Sequence, residues 1–448
     1  MPAKQKHYSP AKSILLGFFM LIASGTFLLM LPVSSKDGTV TSLWNSLFTA
    51  TSAVCVTGLV AADTFTHWTF FGQLVILLLI QIGGMGVITM TIGVALFTGR
   101  KIGFRQRLLM QQSISAPQTA GIIKLTGFIF RAVFIFEGIG ALLLSFRFIP
   151  KFGLAKGLWF SVFHSISAFC NAGFDLMGIN EKYSSLVAFS GDPLICLTIA
   201  SLIVIGGIGF FVWDDIKSNG LRFKRYSLHT KLVLVTSLIL ITMPAVYFYF
   251  FEFGPNIYPG LPVGERILDS LFQSVTTRTA GFNTVDLTRL QSTGVFIMIA
   301  LMLIGGSPGS TAGGFKTTTL AVIILCIRSA FNKREHVGVF DRRIPLETLI
   351  SACALTVLYI LLFSTSAIII CIIENLPLMD TLFESASAIG TVGLTLGITP
   401  DLSAVSKMIL AALMYFGRVG GLTMIYAVSS HIGRDTLAAL PKEDVSIG

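Results

Sequence analysis

The sequence predicts an all-α polytopic membrane protein, in which four parallel helix–pore loop–helix repeats, with eight spans in total, surround one central pore. Two observations predict this fold. Hydrophobic residues make up 53% of the 448 residues and charged residues only 12%, whereas soluble domains carry about 25% charged residues, so most of the surface must face lipid. In addition, a short half-apolar segment recurs four times between apolar spans at a nearly constant period.

Eight apolar segments are long enough to cross the hydrocarbon core, for which a helix needs about 20 residues. They are Lys12–Pro32, Phe70–Phe97, Gly127–Ile149, Ile195–Trp213, Leu232–Phe251, Val295–Ile327, Leu349–Ile373 and Met408–His431. The first follows Lys4, Lys6 and Lys12 without a convincing cleavage site. We therefore interpret it as the first span and not as a removed signal peptide.

The net charge of +10 follows the predicted topology. Basic residues concentrate near both termini and in three connections, Arg100–Lys124, Lys217–Lys231 and Arg328–Arg343, which follow the second, fourth and sixth spans. The positive-inside rule therefore places both termini and these connections on the cytoplasmic side of the cytoplasmic membrane. This distribution argues against nucleic-acid binding. The six scattered cysteines form neither a metal-ligand pattern nor a disulfide framework.

The four recurring segments each have an aromatic-containing helical run, a tail rich in Ser, Thr and Ala, and a glycine followed by Leu or Phe. They are Leu43–Leu59, Leu158–Phe174, Ile267–Phe282 and Leu378–Leu394. Their glycines, Gly58, Gly173, Gly281 and Gly393, recur at close to a quarter of the chain length. Because each unit contains two spans, all units share one orientation. The predicted repeats cover 12–97, 123–216, 229–327 and 345–433 of a single membrane domain, 1–448.

Each short segment ends in a loop that offers backbone carbonyls and no ring of carboxylates. Irregular backbone is tolerated at membrane depth only where it is buried in protein or lines a water-filled cavity, and glycine adopts positive φ without strain. Carbonyl oxygens that replace a hydration shell are the chemistry of a potassium filter. The sequence therefore predicts potassium selection through backbone carbonyls, with no cofactor in this chain. The filter loops are Cys55-Val56-Thr57-Gly58, Cys170-Asn171-Ala172-Gly173, Arg278-Thr279-Ala280-Gly281 and Gly390-Thr391-Val392-Gly393.

The third repeat departs from fourfold symmetry. In three repeats a phenylalanine lies ten residues before the loop glycine, whereas Phe272 lies nine residues before Gly281. In addition, Arg278 stands where the other loops have Cys or Gly. We expect its side chain to point away from the pore and to find an acidic partner, because a buried charge requires one. The candidates are Asp269, Asp286 and Glu384.

The sixth span contains a segment that cannot remain helical. Its middle, Gly305–Gly314, holds five glycines and Pro308, and in a helix each glycine costs about 1 kcal/mol and a proline about 3 kcal/mol relative to Ala. We expect two half-helices joined by an intramembrane loop that closes the pore just cytoplasmic of the filter. The predicted gate residues are Gly305, Gly306, Ser307, Gly309, Ser310, Thr311, Ala312, Gly313, Gly314, Lys316 and Arg418.

The gate prediction includes two cations inside predicted spans, where an ionisable side chain is expensive. Arg418 lies at the same level of the eighth span as the intramembrane loop in the sixth. Its guanidinium can donate to the carbonyls of the loop and place a positive charge on the ion path. For Lys316, a role in the gate and a side chain that snorkels to the membrane face are both open.

The repeat pattern, the TVGL, TAGFN and NAGF loops and the GRVG of the last span resemble the Trk/Ktr/HKT superfamily of potassium transporters over nearly the whole chain. The sequence is most similar to the Ktr membrane subunits (KtrB-type), because the first repeat begins at Lys12 without the two additional N-terminal helices of Trk-type relatives. The resemblance implies potassium uptake gated by this loop and this arginine. It also implies a homodimer with one pore per chain, on a ring of cytosolic nucleotide-binding regulatory subunits (KtrA-type). Whether sodium is coupled or stimulatory stays open.

Three alternative functions can be compared with this one. A sodium/potassium cation transporter of the same fold is open, although family members that favour sodium often carry Ser at the first filter glycine, and Gly58 is intact. A membrane-embedded enzyme or assembly subunit would need acids, histidines or nucleophiles clustered at one depth. An ion-coupled solute transporter is expected to show inverted repeats and an acid at the membrane midplane. We find neither pattern, so the chain is not expected to be an enzyme or a solute transporter.

Overall fold

The structure, a computed structural model, describes residues 10–87, 89–90, 103–113, 121–254, 257, 260–334, 336–421 and 423–424. In chain order its helices are α1 (Pro10–Met30), α2 (Leu43–Cys55), α3 (Thr64–His67), α4 (Phe70–Met85), α5 (Phe104–Ser113), α6 (Ile122–Phe152), α7 (Leu154–Phe169), α8 (Pro193–Ile208), α9 (Phe210–Asn219), α10 (Leu228–Tyr247), α11 (Val263–Thr276), α12 (Ser292–Leu303), α13 (Thr317–Phe331), α14 (Leu346–Glu374), α15 (Leu378–Gly390) and α16 (Ala404–Val419). The predicted span ends Phe97 and His431, the predicted repeat end at 433, and part of the Arg100–Lys124 connection lie outside the described residues.

Four of the described helices, α1, α6, α10 and α14, are individually long and apolar enough to cross a membrane. Each of them begins one of the predicted repeats. The pair α8–α9 is a fifth candidate, but its two halves are bent by 90°. Helices α4, α12 and α13 are apolar but shorter. The total of eight spans therefore stays a prediction.

The helices α2, α7, α11 and α15 have 13 to 16 residues and are too short to cross the membrane. Local sequence sets where they begin: the hydroxyl of Ser42 accepts the N–H of Asn45 at the start of α2, and Pro262 and Pro377 precede α11 and α15. Their C-terminal halves are buried. Burial in protein is what permits a helix to end at membrane depth.

These short helices pack in a circular order. Helix α4 contacts α7, α8 contacts α11, α12 contacts α15, and α16 contacts α2. In each pair, a helix that follows one loop packs against the short helix of the next predicted repeat, and the last pair joins the end of the chain to its beginning. The circle brings the C-terminal ends of the four short helices together.

Three of the helices that follow the loops end or bend at a glycine inside the predicted span. Glycines with positive φ end α4 (Gly86, 83°), separate α8 from α9 (Gly209, 103°) and end α16 (Gly420, 87°). The predicted span Ile195–Trp213 is therefore bent by 90° at Gly209, and whether α8 and α9 cross the membrane together stays a prediction. The predicted break in the sixth span is present, with α12 and α13 separated by 304–316.

One connection also departs from the all-α prediction. Strands β1 (Gly338–Val339) and β2 (Arg342–Arg343) form an antiparallel hairpin. Its two turn residues, Phe340 and Asp341, have φ values of 51° and 58°, which is the pattern of a type I′ turn. The sequence does not signal this turn, because Asn-Gly or Asp-Gly usually occupies these two positions.

Candidate ion filter and gate

The four predicted filter glycines lie in one closed ring. Each has positive φ, from 68° at Gly173 to 94° at Gly58. A Cβ atom added to Gly58 would lie 2.5 Å from the carbonyl oxygen of Ala172, and one added to Gly173 would lie 2.7 Å from that of Ala280. In the same way, Gly281 faces the carbonyl of Val392, and Gly393 faces the carbonyl of Thr57, which closes the circle. We call Gly58, Gly173, Gly281 and Gly393 the glycine ring.

The glycine ring leaves room only for backbone. The four carbonyl groups that face its glycines belong to the residues immediately before each glycine, and all these residues are buried. A side chain at any ring position would have to displace backbone of the neighbouring loop. Carbonyl oxygens are hard neutral ligands that suit an alkali cation.

A second left-handed residue lies two positions before each ring glycine, and sequence reasoning missed it. These residues are Val56 (φ 58°), Asn171 (60°), Thr279 (62°) and Thr391 (52°). None is glycine, and a left-handed conformation costs a residue with a side chain about 1–2 kcal/mol. Strain of this kind persists only where the surroundings impose it, and it concentrates at functional sites.

A hydroxyl at the end of each short helix holds the loop that follows. Ser52 and Ser387 accept the N–H of Gly58 and Gly393, each at 3.0 Å. The other two hydroxyls donate to the carbonyl after the ring glycine, Ser167 to Phe174 at 2.7 Å and Thr276 to Phe282 at 2.5 Å. The sequence signal was a Ser or Thr six residues before the glycine, or five residues before it in the third repeat.

The shorter spacing between Thr276 and Gly281 shows where the third filter loop is one residue shorter than the others. The N–H of Ala280 binds the carbonyl of Thr276, four residues earlier, at 3.0 Å. The equivalent bond in the first loop joins Thr57 to Ser52, five residues earlier, at 2.8 Å. Because the left-handed residue and the glycine still align, the deletion lies between Thr276 and Thr279 and leaves the ring intact.

Arg278 has a different partner from the one predicted. Its side chain is buried, with 5% exposed, and its guanidinium donates to the hydroxyl of Ser237 in α10 at 3.1 Å. Its carbonyl lies 3.4 Å from the amide nitrogen of Asn171. The expectation of an acidic partner is wrong for the described residues, since the three candidates are engaged elsewhere. Asp269 accepts from Thr284, Asp286 pairs with Arg289, and Glu384 accepts from Thr395 and Thr399.

The segment Gly305–Lys316, which we call the gate loop, folds back on itself between α12 and α13. Its base is closed by the N–H of Gly305, which binds the carbonyl of Phe315 at 2.7 Å. The N–H of Thr317 binds the carbonyl of Gly306 at 3.1 Å. These bonds satisfy backbone groups that the missing helix leaves free, as membrane depth requires.

The gate loop sits on the break between α8 and α9. Gly206 and Gly207 accept N–H bonds from the loop at 3.3 Å and 3.0 Å, and the N–H of Phe210 binds the carbonyl of Gly309 at 2.7 Å. The bend at Gly209 therefore creates the seat of the gate loop. In sequence alone, a glycine pair such as Gly206-Gly207 is equally suited to close packing of membrane helices.

The gate loop also touches two of the filter loops directly. The hydroxyl of Thr311 lies 2.9 Å from the side-chain oxygen of Asn171 and 3.1 Å from the carbonyl of Phe169. On the opposite side, Gly313 lies against the side chain of Thr391, where a Cβ atom would collide with it. Thus the gate loop contacts the left-handed residues of the second and fourth filter loops.

Two cations hold the gate loop. The guanidinium of Arg418 donates to the carbonyl of Thr311 and also to the carbonyls of Gly83 and Gly84. The ammonium of Lys316 donates to the carbonyls of Ala312 and Gly313, at 2.9 Å and 3.2 Å. Both line one cavity of about 170 Å³, and its described lining contains no acidic residue.

One acid in the membrane interior was missed. Glu137 lies in the middle of α6, is 5% exposed, and accepts a hydrogen bond of 3.2 Å from the amide of Gln81 in α4. Glu137 is therefore an acid near the middle of a helix long enough to span a membrane, and the expectation that the chain has no such acid overlooked it. The signal was a lone glutamate in an apolar span, which deserves a functional hypothesis by default.

The chain is similar to known proteins over most of its length. Residues 13–437 match the family described as TrkH, cation transport protein. The chain is 38% identical to the potassium/sodium uptake protein NtpJ of Enterococcus hirae, with 99% of this chain and 98% of that protein covered. It is 39% identical to the Ktr system potassium uptake protein B of Bacillus subtilis, with 95% and 94% covered. The crystal structure of the potassium transporter TrkH from Vibrio parahaemolyticus is similar in fold, with a TM-score of 0.73 at 18% identity over 97% of this chain and 88% of that one.

Proposed function

The chain belongs to the TrkH family of cation transport proteins, and we propose that it takes up potassium by selecting the ion at the glycine ring and releasing it past the gate loop. As a member of this family it is a membrane transporter of potassium or related cations and not an enzyme. The observation that carries the finer proposal is the closed ring of four glycines, each facing a carbonyl of the next loop.

Selection follows from the chemistry of that ring. Carbonyl oxygens replace the hydration shell of an ion of suitable size, and a neutral ring does not hold the ion as tightly as carboxylates would. The strained residues two positions before each glycine and the hydroxyls that hold each loop supply rigidity. Rigid, preorganised ligands discriminate between ions of the same charge better than ligands that can close on the smaller ion.

The contacts of the gate loop support the proposal that it closes the ion path below the glycine ring. It contacts two filter loops and is fixed by the guanidinium of Arg418. A guanidinium about 4 Å from a potassium ion costs roughly 4 kcal/mol at an effective dielectric constant near 20. In this proposal, the loop blocks the path sterically and the arginine blocks it electrostatically until the loop is moved aside.

Regulation is proposed to come from another chain. Three connections, Arg100–Lys124, Lys217–Lys231 and Arg328–Arg343, are basic, and the described parts of the second and third are largely exposed. Three relatives are named as parts of a Ktr system. We propose a homodimer of eight-span, four-repeat subunits, with both termini cytoplasmic, docked through these connections on a ring of nucleotide-binding regulatory subunits. A pull-down with ATP or ADP that recovers no such subunit would contradict this.

A second candidate function is uptake of both potassium and sodium. The name of the Enterococcus hirae relative includes both ions. Flux in proteoliposomes that contain only the purified chain separates the two candidates. The potassium proposal predicts rubidium or potassium uptake that sodium in excess does not suppress, whereas equal competition by the two ions would favour the second candidate. No flux of either ion, with folded protein in the vesicles, would contradict both.

A further inference from the structure

The carboxyl group of Glu137 lies outside the filter and the gate described above, but it is connected to the filter. Gln81 in α4 donates to one carboxylate oxygen at 3.2 Å. The thiol of Cys170 lies 4.0 Å from the other carboxylate oxygen and 3.7 Å from the side-chain oxygen of Gln81. Cys170 is the first residue of the second filter loop and directly precedes the left-handed residue Asn171.

The side chain of Cys170 is tightly packed against α4. A Cβ atom added to Gly84, one turn after Gln81, would lie 2.7 Å from the sulfur of Cys170. On the other side, the hydroxyl of Ser165 in α7 donates to the backbone carbonyl of Glu137 at 2.6 Å. Helices α4 and α6 therefore hold the start of the second filter loop from outside the ring.

The direction of these hydrogen bonds gives the carboxyl group a specific role. The amide of Gln81 and the thiol of Cys170 lie at different oxygens of the Glu137 carboxyl group, so this group connects α4 with the start of the second filter loop. A buried acid in a membrane helix is expensive and is retained for a function or a partner. Among the residues that the structure describes, the partners of its carboxyl group are Gln81 and Cys170, which lead to the filter, and not a charged side chain.

We propose that Glu137 is a positioning residue of the ion filter: with Gln81 it fixes Cys170, and thereby keeps the carbonyls of the second loop at the spacing that prefers potassium over sodium. This inference rests on the proposed function of the glycine ring. Without the carboxylate, Cys170 loses its outer support and the loop is free to close on the smaller ion. We therefore expect replacement of Glu137 to lower the preference for potassium over sodium before it lowers transport itself.

The test uses the full chain in proteoliposomes and measures rubidium uptake in competition with potassium and with sodium. Glu137→Ala and Gln81→Leu should each lower the potassium-over-sodium preference about tenfold, the effect expected when one buried hydrogen bond is lost. Glu137→Gln keeps an acceptor oxygen and should retain most of the preference. The matched control is Gln73→Leu, because Gln73 is also a buried glutamine of α4 but binds Trp159 and the carbonyl of Trp68. It should leave the preference unchanged.

The outcomes separate this inference from the proposed function. An unmutated chain without potassium preference would overturn the filter itself. A selective unmutated chain together with equally selective Glu137→Ala and Gln81→Leu variants would overturn only the role of Glu137. An equal loss in Gln73→Leu would also overturn it, because the effect would then be one of general packing. If Glu137→Ala does not fold, Gln81→Leu decides alone.

Discussion

Thr311→Val should release the gate loop without disturbing its shape. Thr311 is fully buried, and its hydroxyl faces two acceptors of the second filter loop, the carbonyl of Phe169 and the side-chain oxygen of Asn171. Valine has nearly the volume of threonine, so no cavity forms. The substitution removes the one hydroxyl proton that these two acceptors share while the loop is seated, whereas an open loop exposes both acceptors to water.

The expected change in uptake follows from this difference between the closed loop, in which the acceptors are buried, and the open loop, in which they meet water. Leaving a buried acceptor unsatisfied costs about 1–3 kcal/mol. A change of that size in the balance between closed and open loop corresponds to about 5- to 150-fold in the equilibrium constant. Uptake by a gate that is mostly closed should rise by the same factor until the loop is mostly open.

The assay is rubidium uptake into proteoliposomes that contain the purified chain without a regulatory subunit. Thr311→Ser keeps the hydroxyl and should behave like the unmutated chain. Ser310→Ala is a second control, because in the described part of the chain the hydroxyl of Ser310 donates to the carbonyl of Ser307 within the loop and not to a filter loop. Equal uptake by Thr311→Val and both controls, or a lower uptake with the protein still folded, would refute the link between the gate loop and Asn171.

Three further predictions follow from the same geometry. Deletion of Gly309–Gly313 should raise potassium flux and weaken its dependence on the regulatory subunit; flux that falls to zero in folded protein, or that stays equally regulated, would place the gate elsewhere. Arg418→Gln removes the donors to Thr311, Gly83 and Gly84 and should raise basal flux more than Thr311→Val does; unchanged basal flux would exclude the arginine from the gate. Single cysteines at Ser218 or Lys333 should react with impermeant reagents only from the cytoplasmic side, and labelling from outside intact cells would contradict the topology.

The positions of the ring glycines and the break in the sixth span could be predicted because both are local properties of the sequence. A glycine at a fixed period marks a backbone conformation that other residues avoid, and five glycines with a proline cannot remain helical. The left-handed conformation of Val56 or Thr391 could not be predicted in the same way. It goes against the intrinsic preference of these residues and is imposed by the loops around them.

Contacts between residues that are far apart in the sequence could not be predicted either. Ser237, whose hydroxyl accepts the hydrogen bond of Arg278, lies 41 residues away in sequence and carries no charge. A search for oppositely charged residues could therefore not find it. Glu137 was visible as a lone acid, but its partner Gln81 is 56 residues away. The breaks at Gly86, Gly209 and Gly420 were masked by glycine pairs that also suit close packing of membrane helices.

The central claim, that the glycine ring selects potassium, is tested most directly by Gly58→Ser against Gly38→Ser in the same flux assay. Both glycines have positive φ, 94° and 65°, so both variants carry the strain of a side chain there. A Cβ atom at Gly58 would lie 2.5 Å from the carbonyl oxygen of Ala172, whereas one at Gly38 would meet nothing within 4 Å. The account predicts that Gly58→Ser admits sodium or abolishes uptake while Gly38→Ser keeps the potassium preference. A folded Gly58→Ser variant with an unchanged preference for potassium over sodium would contradict it.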